Sequence, residues 1–293
     1  MIYIAQYIKS PLNYVGGKYK LLNQIIPLFP NDIDVFVDLF GGGFNVGINV
    51  NAKKIIYNDT CTQVVDLLKK FYTYDSEIVH NMIISTITKY GLSRSDLYGY
   101  EKYGCNPNDG LGKYNQDKYY KLRNDYNMDP DWIKFYTLIT CSFSNQIRFN
   151  SKGEFNMPYG KRDYNKSLQN KLKLFIDTMH TKNIEFNNND FRDFVFPNNC
   201  FVYCDPPYYN STATYNENGG WTKQDEEDLL NMLDFLHSNG VKFALSNNLK
   251  YDNPLLAEWK DKYNVHYLDG DYRNCNYQKK DKSKDNEVLI TNY

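Results

Sequence analysis

The residues with the clearest chemical potential are Asp205-Pro206-Pro207-Tyr208, which directly follow the short apolar run Phe201-Val202-Tyr203-Cys204. The apolar run predicts a buried strand, and the two prolines end it because neither can donate a hydrogen bond to a sheet. The carboxylate of Asp205, the carbonyl groups beside it and the ring of Tyr208 are then held at the carboxyl end of a strand, where open α/β sheets bind ligands. Together they suit a flat group that carries an amine. A strand end followed by an ordinary loop is the plain alternative.

A second chemical feature lies near the start of the chain, where an apolar strand that contains Asp38 runs into the turn Gly41-Gly42-Gly43. A strand, a glycine turn and a following helix form the βα unit that binds nucleotides. The next strand, Lys54 to Asp59, ends in an acid at the position where such folds hold ribose hydroxyls. The glycine spacing departs from G-x-G-x-x-G, and the turn holds no Lys or Arg for a pyrophosphate. These two facts favour an adenosine ligand without phosphates over NAD.

The segment from Asn13 to Tyr19 contains Gly16-Gly17 followed by Lys18. Two glycines let the backbone approach a ligand closely, and a lysine at a helix start can reach an anionic group. A plain turn before a helix explains the same residues.

The segment from Phe143 to Arg162, named the arm from here on, carries polar and aromatic residues on both sides of a turn at Ser151 to Glu154. This pattern predicts a β-hairpin or a hairpin-like loop. Its Asn, Gln and Arg side chains suit a DNA groove, where Arg prefers guanine and Asn or Gln prefers adenine. An ordinary surface hairpin is the alternative.

The charge is nearly balanced over the whole chain, with a net charge of -1, so composition gives no general signal for nucleic acid. Two segments are locally basic. Residues 146–175 carry seven Lys or Arg against two acidic residues, and residues 271–284 carry five against two. Two basic segments on a near-neutral chain predict contacts with a phosphate backbone, and solvated loops are the alternative.

The composition otherwise predicts a globular protein, with 42% hydrophobic and 24% charged residues. The six cysteines include no C-x-x-C pair and no His partner at zinc spacing, so no metal site is predicted. No apolar run reaches membrane length and no leader-like segment opens the chain, which predicts a cytoplasmic protein that does not bind membranes.

Strands and helices alternate before and after a mainly helical stretch, which predicts an α/β fold with a mostly parallel, Rossmann-like sheet and an insertion. We assign residues 1–61 and 165–293 to the sheet domain and residues 62–164 to an inserted helical domain that carries the hairpin. Thr222 and Asp225 predict a capping box at the start of a helix. The polar loop from Ser211 to Gly220 is predicted to close over a ligand.

Together these segments resemble the Dam-type DNA adenine methyltransferases, and especially their phage-type members. The likeness spans nearly the whole chain and follows the family's order of segments: Tyr14 to Lys18, Asp38 to Gly43, Asp59, the arm, Asp205 to Tyr208, and Leu245-Ser246-Asn247. In that family the insertion that recognises the target lies between the cofactor unit and the catalytic tetrad, as it does in this sequence.

The resemblance implies a Rossmann-like methyltransferase that uses S-adenosyl-L-methionine, releases S-adenosyl-L-homocysteine and needs no metal. The acceptor would be the exocyclic amine of an adenine that is flipped out of duplex DNA. Asp205 and the carbonyl of Pro206 would accept hydrogen bonds from this amine and make its nitrogen more nucleophilic. Pro207 completes the rigid segment, and Tyr208 would stack on the base.

The resemblance also implies binding residues. The cofactor would be lined by Tyr14, Gly17, Lys18, Asp38, Phe40, Gly41, Asp59, Phe191 and Asp205, with Asp59 on the ribose hydroxyls. The DNA would be bound by Phe143, Ser144, Asn145, Arg148, Lys161 and Arg162. Arg148 would recognise a guanine, Phe143 and Ser144 would enter the base stack and pair with the orphan base, and Arg162 would touch the outer base pair or its phosphate. These assignments predict the recognition sequence GATC.

We therefore expect an enzyme that works on double-stranded DNA as a monomer or weak dimer. Three alternatives stay open: an NAD-dependent oxidoreductase, a non-catalytic DNA-binding protein on the same fold, and an enzyme that methylates an amine in RNA or in a protein glutamine. The oxidoreductase leaves Asp205 to Tyr208 unexplained. The intact tetrad speaks against a non-catalytic protein, and the last class more often carries Asn in place of Asp205.

Overall fold

A computed structural model describes residues 7–14, 16–210, 220–269 and 286–293 of the chain. Within these ranges seven strands form one sheet. They are β1 (Val35–Asp38), β2 (Lys54–Asn58), β3 (Ile184–Asn187), β4 (Cys200–Cys204), β5 (Lys242–Asn248), β6 (Asn264–Tyr267) and β7 (Glu287–Thr291). The α-helices of the same ranges are α1 (Leu22–Ile25), α2 (Thr62–Thr73), α3 (Ser76–Tyr90), α4 (Ser95–Tyr98), α5 (Gly112–Met128), α6 (Trp132–Cys141), α7 (Lys166–Met179), α8 (Lys223–Ser238) and α9 (Pro254–Trp259).

The strand order is β3-β2-β1-β4-β5-β7-β6, with β1 to β5 parallel and β7 antiparallel to both of its neighbours. The chain begins in the middle at β1, moves outwards through β2 and β3, and then returns to β4 on the other side of β1. The order therefore reverses between β1 and β4, and such a reversal opens a crevice at the carboxyl ends of the two strands. The predicted α/β fold with a mostly parallel, Rossmann-like sheet is confirmed.

The central strands β1 and β4 are mostly apolar because both faces of a parallel sheet are buried. All five residues of β4 are buried, and three of the four residues of β1 are buried. On one face, Val37 and Val202 pack with Leu229 and Leu233 of α8 in the main hydrophobic cluster. This packing fixes the strand ends that carry the polar residues of the crevice.

Contacts along the chain divide it into two compact units. The first comprises residues 1–7, 18–60 and 182–293 and contains the whole sheet with α1, α8 and α9. The second comprises residues 8–17 and 61–181 and contains α2 to α7 and the arm. The sequence analysis placed α7 in the sheet domain, whereas its contacts with α3 and α2 group it with the second unit.

The helices of the second unit follow the apolar spacing of the sequence. The buried residues of α2 include Val64, Leu68 and Phe71, which repeat at helical intervals on one face. Helix α6 begins at Asp131, whose carboxylate accepts hydrogen bonds from the backbone N–H groups of Ile133 and Lys134 at 2.9 and 2.8 Å. The mainly helical stretch predicted between the two parts of the sheet domain is therefore present.

The arm folds back on itself in an antiparallel fashion. Isolated bridges join Ser142 to Tyr159 and Phe149 to Phe155. Asn150 closes the turn, because its side-chain oxygen accepts from the backbone N–H groups of Lys152 and Glu154, both at 3.0 Å. The predicted hairpin-like arm is thus held by its turn and by isolated bridges.

Two segments named by the sequence analysis lie outside the described residues: the loop from Ser211 to Gly220, except for Gly220 itself, and the basic segment 271–284. In the part of the chain that is described, no helix is long and apolar enough to cross a membrane. Over the same residues, no group of three or more His, Cys, Asp or Glu side chains is arranged to hold a metal ion.

Candidate active site

The crevice between β1 and β4 brings together an ammonium, a carboxylate and an aromatic ring. The Nζ of Lys18 lies 2.7 Å from Oδ1 of Asp205, and the side chain of Lys18 is only 2% exposed whereas that of Asp205 is 20% exposed. The same ammonium lies 5.0 Å from the ring centroid of Tyr208. Burial raises the pKa of Asp205, and the charge of Lys18 limits this rise. The crevice therefore joins Lys18 to Asp205 and Tyr208, which the sequence analysis selected as two separate segments.

Asp38 ends β1 and lies in register with Tyr203, two residues before Asp205. Its Oδ2 accepts a hydrogen bond from the backbone N–H of Gly47 at 3.0 Å. Burial raises the pKa of Asp38 from 3.8 to about 7, and the negative charges of Asp205 and Asp59 add to the increase. The crevice consequently concentrates carboxylates, and its electrostatics favour a cationic ligand.

A buried glutamate that the sequence analysis did not identify holds the ring of Tyr208. The hydroxyl of Tyr208 donates to Oε2 of Glu287 at 3.1 Å and lies 3.5 Å from Oδ1 of Asp205. The other oxygen of Glu287 accepts from the side-chain amide of Asn248 at 2.9 Å. Glu287 comes from β7, far along the chain, and its neighbourhood to Tyr208 follows only from the pairing of β5 with β7. No signal in the sequence indicated this contact.

The glycine turn after β1 packs tightly against β2 and Asp59. The backbone N–H of Gly42 donates to Oδ2 of Asp59 at 2.8 Å, and the hydroxyl of Tyr57 donates to the carbonyl of Gly42 at 2.8 Å. A Cβ atom on Gly41 would lie 2.2 Å from the ring of Tyr57, so any other residue there would displace the turn. The turn and the acid predicted for ribose are therefore adjacent.

Three aromatic rings cluster beside this turn. The ring centroids of Phe40 and Phe191, both predicted to line the cofactor, are 5.5 Å apart. Trp221, which the sequence analysis did not select, lies 5.7 Å from Phe40 and 5.6 Å from Phe191. We name these three residues the aromatic wall. A cluster of aromatic side chains of this kind can pack against the adenine ring of a nucleoside.

The end of β5 contributes a donor without a partner. The Nδ2 atom of Asn247 is buried and has no hydrogen-bond partner among the described residues. Its Oδ1 accepts from the backbone N–H of Asn248 at 2.8 Å. A buried donor left in this way is costly unless a ligand supplies an acceptor. Asn247 belongs to Leu245-Ser246-Asn247, one of the segments that carry the resemblance described above.

The remaining predicted cofactor residues, Tyr14 and Gly17, belong to the second unit. The backbone N–H of Gly17 donates to the carbonyl of Tyr14 at 3.2 Å, and Gly16 has a φ of 80°. The preceding residue, Asn13, pairs with Gln146 of the arm, and its amide donates to the carbonyl of Ser144 at 2.7 Å. The segment before the two glycines is therefore fixed to the arm, and the cofactor roles of Tyr14 and Gly17 stay predictions.

The start of the arm has an unusual backbone. Ser144 and Asn145 both have a φ of 54°, in the left-handed region, and Phe143 is 55% exposed. The side-chain amide of Asn145 donates to the carbonyls of Ile139 and Thr140 at 3.1 and 2.8 Å. These bonds hold the strained turn at the end of α6 and present Phe143 to solvent.

The cationic side chains of the arm differ in how firmly hydrogen bonds hold them. Nε of Arg148 donates to Oδ1 of Asn156 at 2.8 Å, which fixes its guanidinium along the arm. Lys161 and Arg162 are exposed, and Nζ of Lys161 donates weakly to the carbonyl of Asn108 at 3.4 Å. The contacts of all six predicted DNA-binding residues with DNA stay predictions.

The sheet order and the polar crevice at its reversal point define an α/β protein of the Rossmann-like methyltransferase type. Comparison with known families gives the more specific class: residues 14–274 match the model of the D12 class N6 adenine-specific DNA methyltransferases. The chain belongs to this family. The resemblance deduced from the sequence is confirmed.

Several characterised proteins are similar to the chain. Type II methyltransferase M.FokI of Planomicrobium okeanokoites is 46% identical over 299 residues, and modification methylase StsI of Streptococcus sanguinis is 40% identical over 302 residues. Each alignment covers 98% of this chain but 43% of the relative, so the chain spans less than half the length of these two proteins. The DNA adenine methylase of Salmonella typhimurium is 24% identical over 268 residues, which cover 88% of this chain and 86% of the relative.

Proposed function

We propose that the chain transfers a methyl group from S-adenosyl-L-methionine to the exocyclic amine of an adenine in double-stranded DNA. The single observation that carries the proposal is the carboxylate of Asp205, which is held at the end of β4 and already accepts a hydrogen bond from a nitrogen donor, Lys18, at 2.7 Å. An adenine amine presents the same kind of donor. The family to which the chain belongs supplies the reaction class.

The acceptor amine needs help because its lone pair is delocalised into the purine ring. Hydrogen bonds to Asp205 and to the carbonyl of Pro206 favour a tetrahedral nitrogen, whose lone pair is available for attack on the methyl carbon. As the new N–C bond forms, the C–S bond of the donor breaks and positive charge moves to the amine nitrogen. The carboxylate stabilises this charge in the transition state more than in the ground state. The methylated amine would then release its extra proton to water, and S-adenosyl-L-homocysteine would leave.

The residues around the crevice fit the methyl donor. The aromatic wall suits its adenine, and Asp59 offers a carboxylate to the ribose hydroxyls. The pKa of Asp38 is raised by burial and by the negative charges of Asp205 and Asp59, an effect that positive charge on a ligand would oppose. A sulfonium and an ammonium would supply that charge. The donor would supply the activated methyl group, and the side chains and backbone of the protein would supply the other contributions.

We further propose that the arm recognises the target, with Arg148 on a guanine and Phe143 at the opened base stack. The Dam-type resemblance gives GATC as the recognition sequence to test. The names of M.FokI and StsI, a type II methyltransferase and a modification methylase, support a role as a modification enzyme of a type II system. The proposed partner is double-stranded DNA in the cytoplasm of a bacterial or phage-infected cell, with the protein acting as a monomer or weak dimer.

The experiment that tests this proposal expresses the chain in cells that lack adenine methylation and maps every methylated adenine by sequencing. Methylation confined to one short motif would support the site-specific enzyme, and methylation at GATC would support the proposed sequence. A different single motif would contradict only the sequence. No methylated adenine, with the folded protein present in the cells, would contradict the function.

A further inference from the structure

Glu226 on the first turns of α8 is a fully buried carboxylate outside the residues discussed so far. Its relative exposure is 0%, and both of its oxygens accept hydrogen bonds. Nε1 of Trp221 donates to Oε2 at 2.6 Å, and Nδ2 of Asn253 donates to Oε1 at 2.7 Å. Both donors are neutral, so these bonds solvate the carboxylate without cancelling its charge, and burial raises its pKa. Burying such a group is expensive for the fold.

The position of Glu226 in the helix makes this arrangement specific. Thr222 is the N-cap of α8 and forms a capping box with Asp225, so Trp221 precedes the cap and Glu226 is the fourth residue of the helix. These two positions usually carry apolar residues that pack together as a hydrophobic staple. In this chain an indole N–H bonded to a carboxylate takes the place of that apolar contact. The hydrogen bond between the indole N–H and the carboxylate fixes the orientation of the indole, whereas apolar packing alone would not.

The orientation of the indole matters because Trp221 is one third of the aromatic wall. Its ring lies 5.7 Å from Phe40 and 5.6 Å from Phe191. The carboxylate that holds it is itself anchored, since Asn253 caps α9 by accepting from the backbone N–H of Leu256 at 3.1 Å. A glutamine could accept from only one of the two donors, whereas a carboxylate accepts from both.

Two further carboxylates of α8 support the same aromatic wall through Arg192. Arg192 lies with its guanidinium carbon 4.5 Å from the ring centroid of Phe191. Asp225 and Asp228 bind this guanidinium at 2.5 and 2.6 Å. The start of α8 therefore fixes two of the three rings, one through a partly exposed ion pair and one through a buried carboxylate.

We propose that Glu226 is a positioning residue of the methyl-donor pocket, which holds the indole of Trp221 against Phe40 and Phe191 as a binding surface for the donor's adenine. This inference rests on the proposed function, because it takes S-adenosyl-L-methionine as the ligand of the aromatic wall. Glu226 acts through Trp221 and touches no reacting atom. Its loss changes donor affinity and leaves the chemical step intact.

The test compares Glu226→Gln with Glu227→Gln, a matched control whose carboxylate is adjacent on the same helix and pairs with Lys223 at 3.2 Å. Calorimetry measures the Kd of S-adenosyl-L-homocysteine, and steady-state assays separate KM for the donor from kcat. Glu226→Gln is expected to raise both Kd and KM by about threefold to tenfold, the value of a hydrogen bond, with kcat within about twofold of the wild type. Glu227→Gln is expected to match the wild type.

Tryptophan fluorescence supplies a readout that a loss of stability alone would not change. S-adenosyl-L-homocysteine is expected to quench the emission of the wild type, and this quenching should disappear in Trp221→Phe. Adding Glu226→Gln to Trp221→Phe should cause no further loss of affinity, because the carboxylate acts through the indole. Additive losses would contradict the proposal.

The outcomes separate the inference from the function on which it rests. If the wild type binds the ligand and Glu226→Gln binds it equally well, or loses kcat without a change in KM, the inference is wrong and the function stands. If the folded wild type does not bind the ligand, both are wrong. If Glu226→Gln melts before it can be assayed, Trp221→Phe decides alone, and unchanged affinity in that variant contradicts the proposal.

Discussion

The crevice of the first unit and the arm of the second unit treat buried charge in opposite ways. Directly after the arm, the carboxylate of Asp163 is 1% exposed, yet it accepts hydrogen bonds from the hydroxyls of Ser93 and Ser95 at 2.6 Å and from the backbone N–H of Ser95 at 2.8 Å. In the crevice, Asp38 accepts one backbone hydrogen bond and has a pKa raised to about 7. Both oxygens of Asp163 are therefore hydrogen-bonded within the protein, next to the exposed side chain of Arg162.

The number of hydrogen-bond donors around each carboxylate indicates whether the region is stable without a ligand. A carboxylate with several donors is stable without a ligand and serves to fix the backbone next to it, here the residue that follows Arg162. Carboxylates that share few donors oppose one another, and a positively charged ligand relieves them. In the proposed function, a methyl donor with a sulfonium and an amine that becomes positive during the reaction would supply that charge. The contrast therefore fits the chemistry proposed for the crevice and the recognition proposed for the arm.

The largest effect is expected when the carboxylate at the end of β4 is removed. Asp205→Ala is expected to lower kcat by about a thousandfold, because the developing charge on the amine loses its acceptor. Binding of S-adenosyl-L-homocysteine should change little. Asp205→Asn, which keeps the shape of the side chain beside Lys18, controls for the unpaired ammonium, and Asp261→Ala is the surface control. Turnover that survived in both Asp205 variants would show that the carboxylate has another role.

The stability of the crevice should depend on pH through Asp38. Its pKa is higher in the folded protein, about 7, than its ordinary value of 3.8, so the folded state retains a proton that the unfolded state releases. The stability contributed by this proton is present below pH 4 and is lost as the pH rises through 7, a decrease of up to about 4 kcal/mol. Asp38→Asn should remove this part of the slope in urea unfolding between pH 4 and 8. Asp34→Asn, at an exposed site, should retain it.

The recognition role of the arm is tested by its fixed guanidinium. Arg148→Ala is expected to lower discrimination against one changed base pair by about 1–3 kcal/mol, because a bidentate contact to guanine is lost. The measurement is kcat/KM on duplexes in which each position of the mapped motif is replaced in turn. Unchanged preference at every position would remove Arg148 from the set of recognition residues.

The smallest expected effect concerns an exposed cation of the same arm. Lys161→Ala should weaken binding to all duplexes alike and reduce the slope of log affinity against log salt by about one, as expected for one phosphate contact. Arg148→Ala and Lys161→Ala serve as controls for each other. If Lys161→Ala changed the base preference and Arg148→Ala changed only the salt slope, the two assignments would have to be exchanged.

Much of the crevice could be predicted because its residues lie at strand ends with a local signature. Asp38 stands in an apolar strand before three glycines, and Asp205 stands between an apolar strand and two prolines. Parallel strands bring their carboxyl ends to one edge, so these two acids were expected at the same edge once the strands were assigned. Their closeness also depends on the pairing of β1 with β4. The capping box of Thr222 and Asp225 was equally local, and the structure confirms it.

The contacts that could not be predicted join residues far apart in the sequence. Glu287 reaches Tyr208 only because β7 lies antiparallel beside β5, and no local pattern specifies that pairing. Trp221 contacts Phe40 and Phe191, which both lie in other parts of the sequence, so no local pattern indicates these contacts. Glu226 did carry a signal, since a charged residue stands at a staple position of α8, but its meaning depends on the indole that it holds.

The central claim is tested most directly by nucleoside analysis of the reaction product. The purified chain is incubated with duplex DNA and S-adenosyl-L-methionine labelled in its methyl group, and the DNA is digested and separated by mass spectrometry, with Asp205→Asn in parallel. The account predicts label in N6-methyldeoxyadenosine for the wild type and a loss of about a thousandfold in the variant. Label in another nucleoside, or no label with a folded wild type, would contradict it.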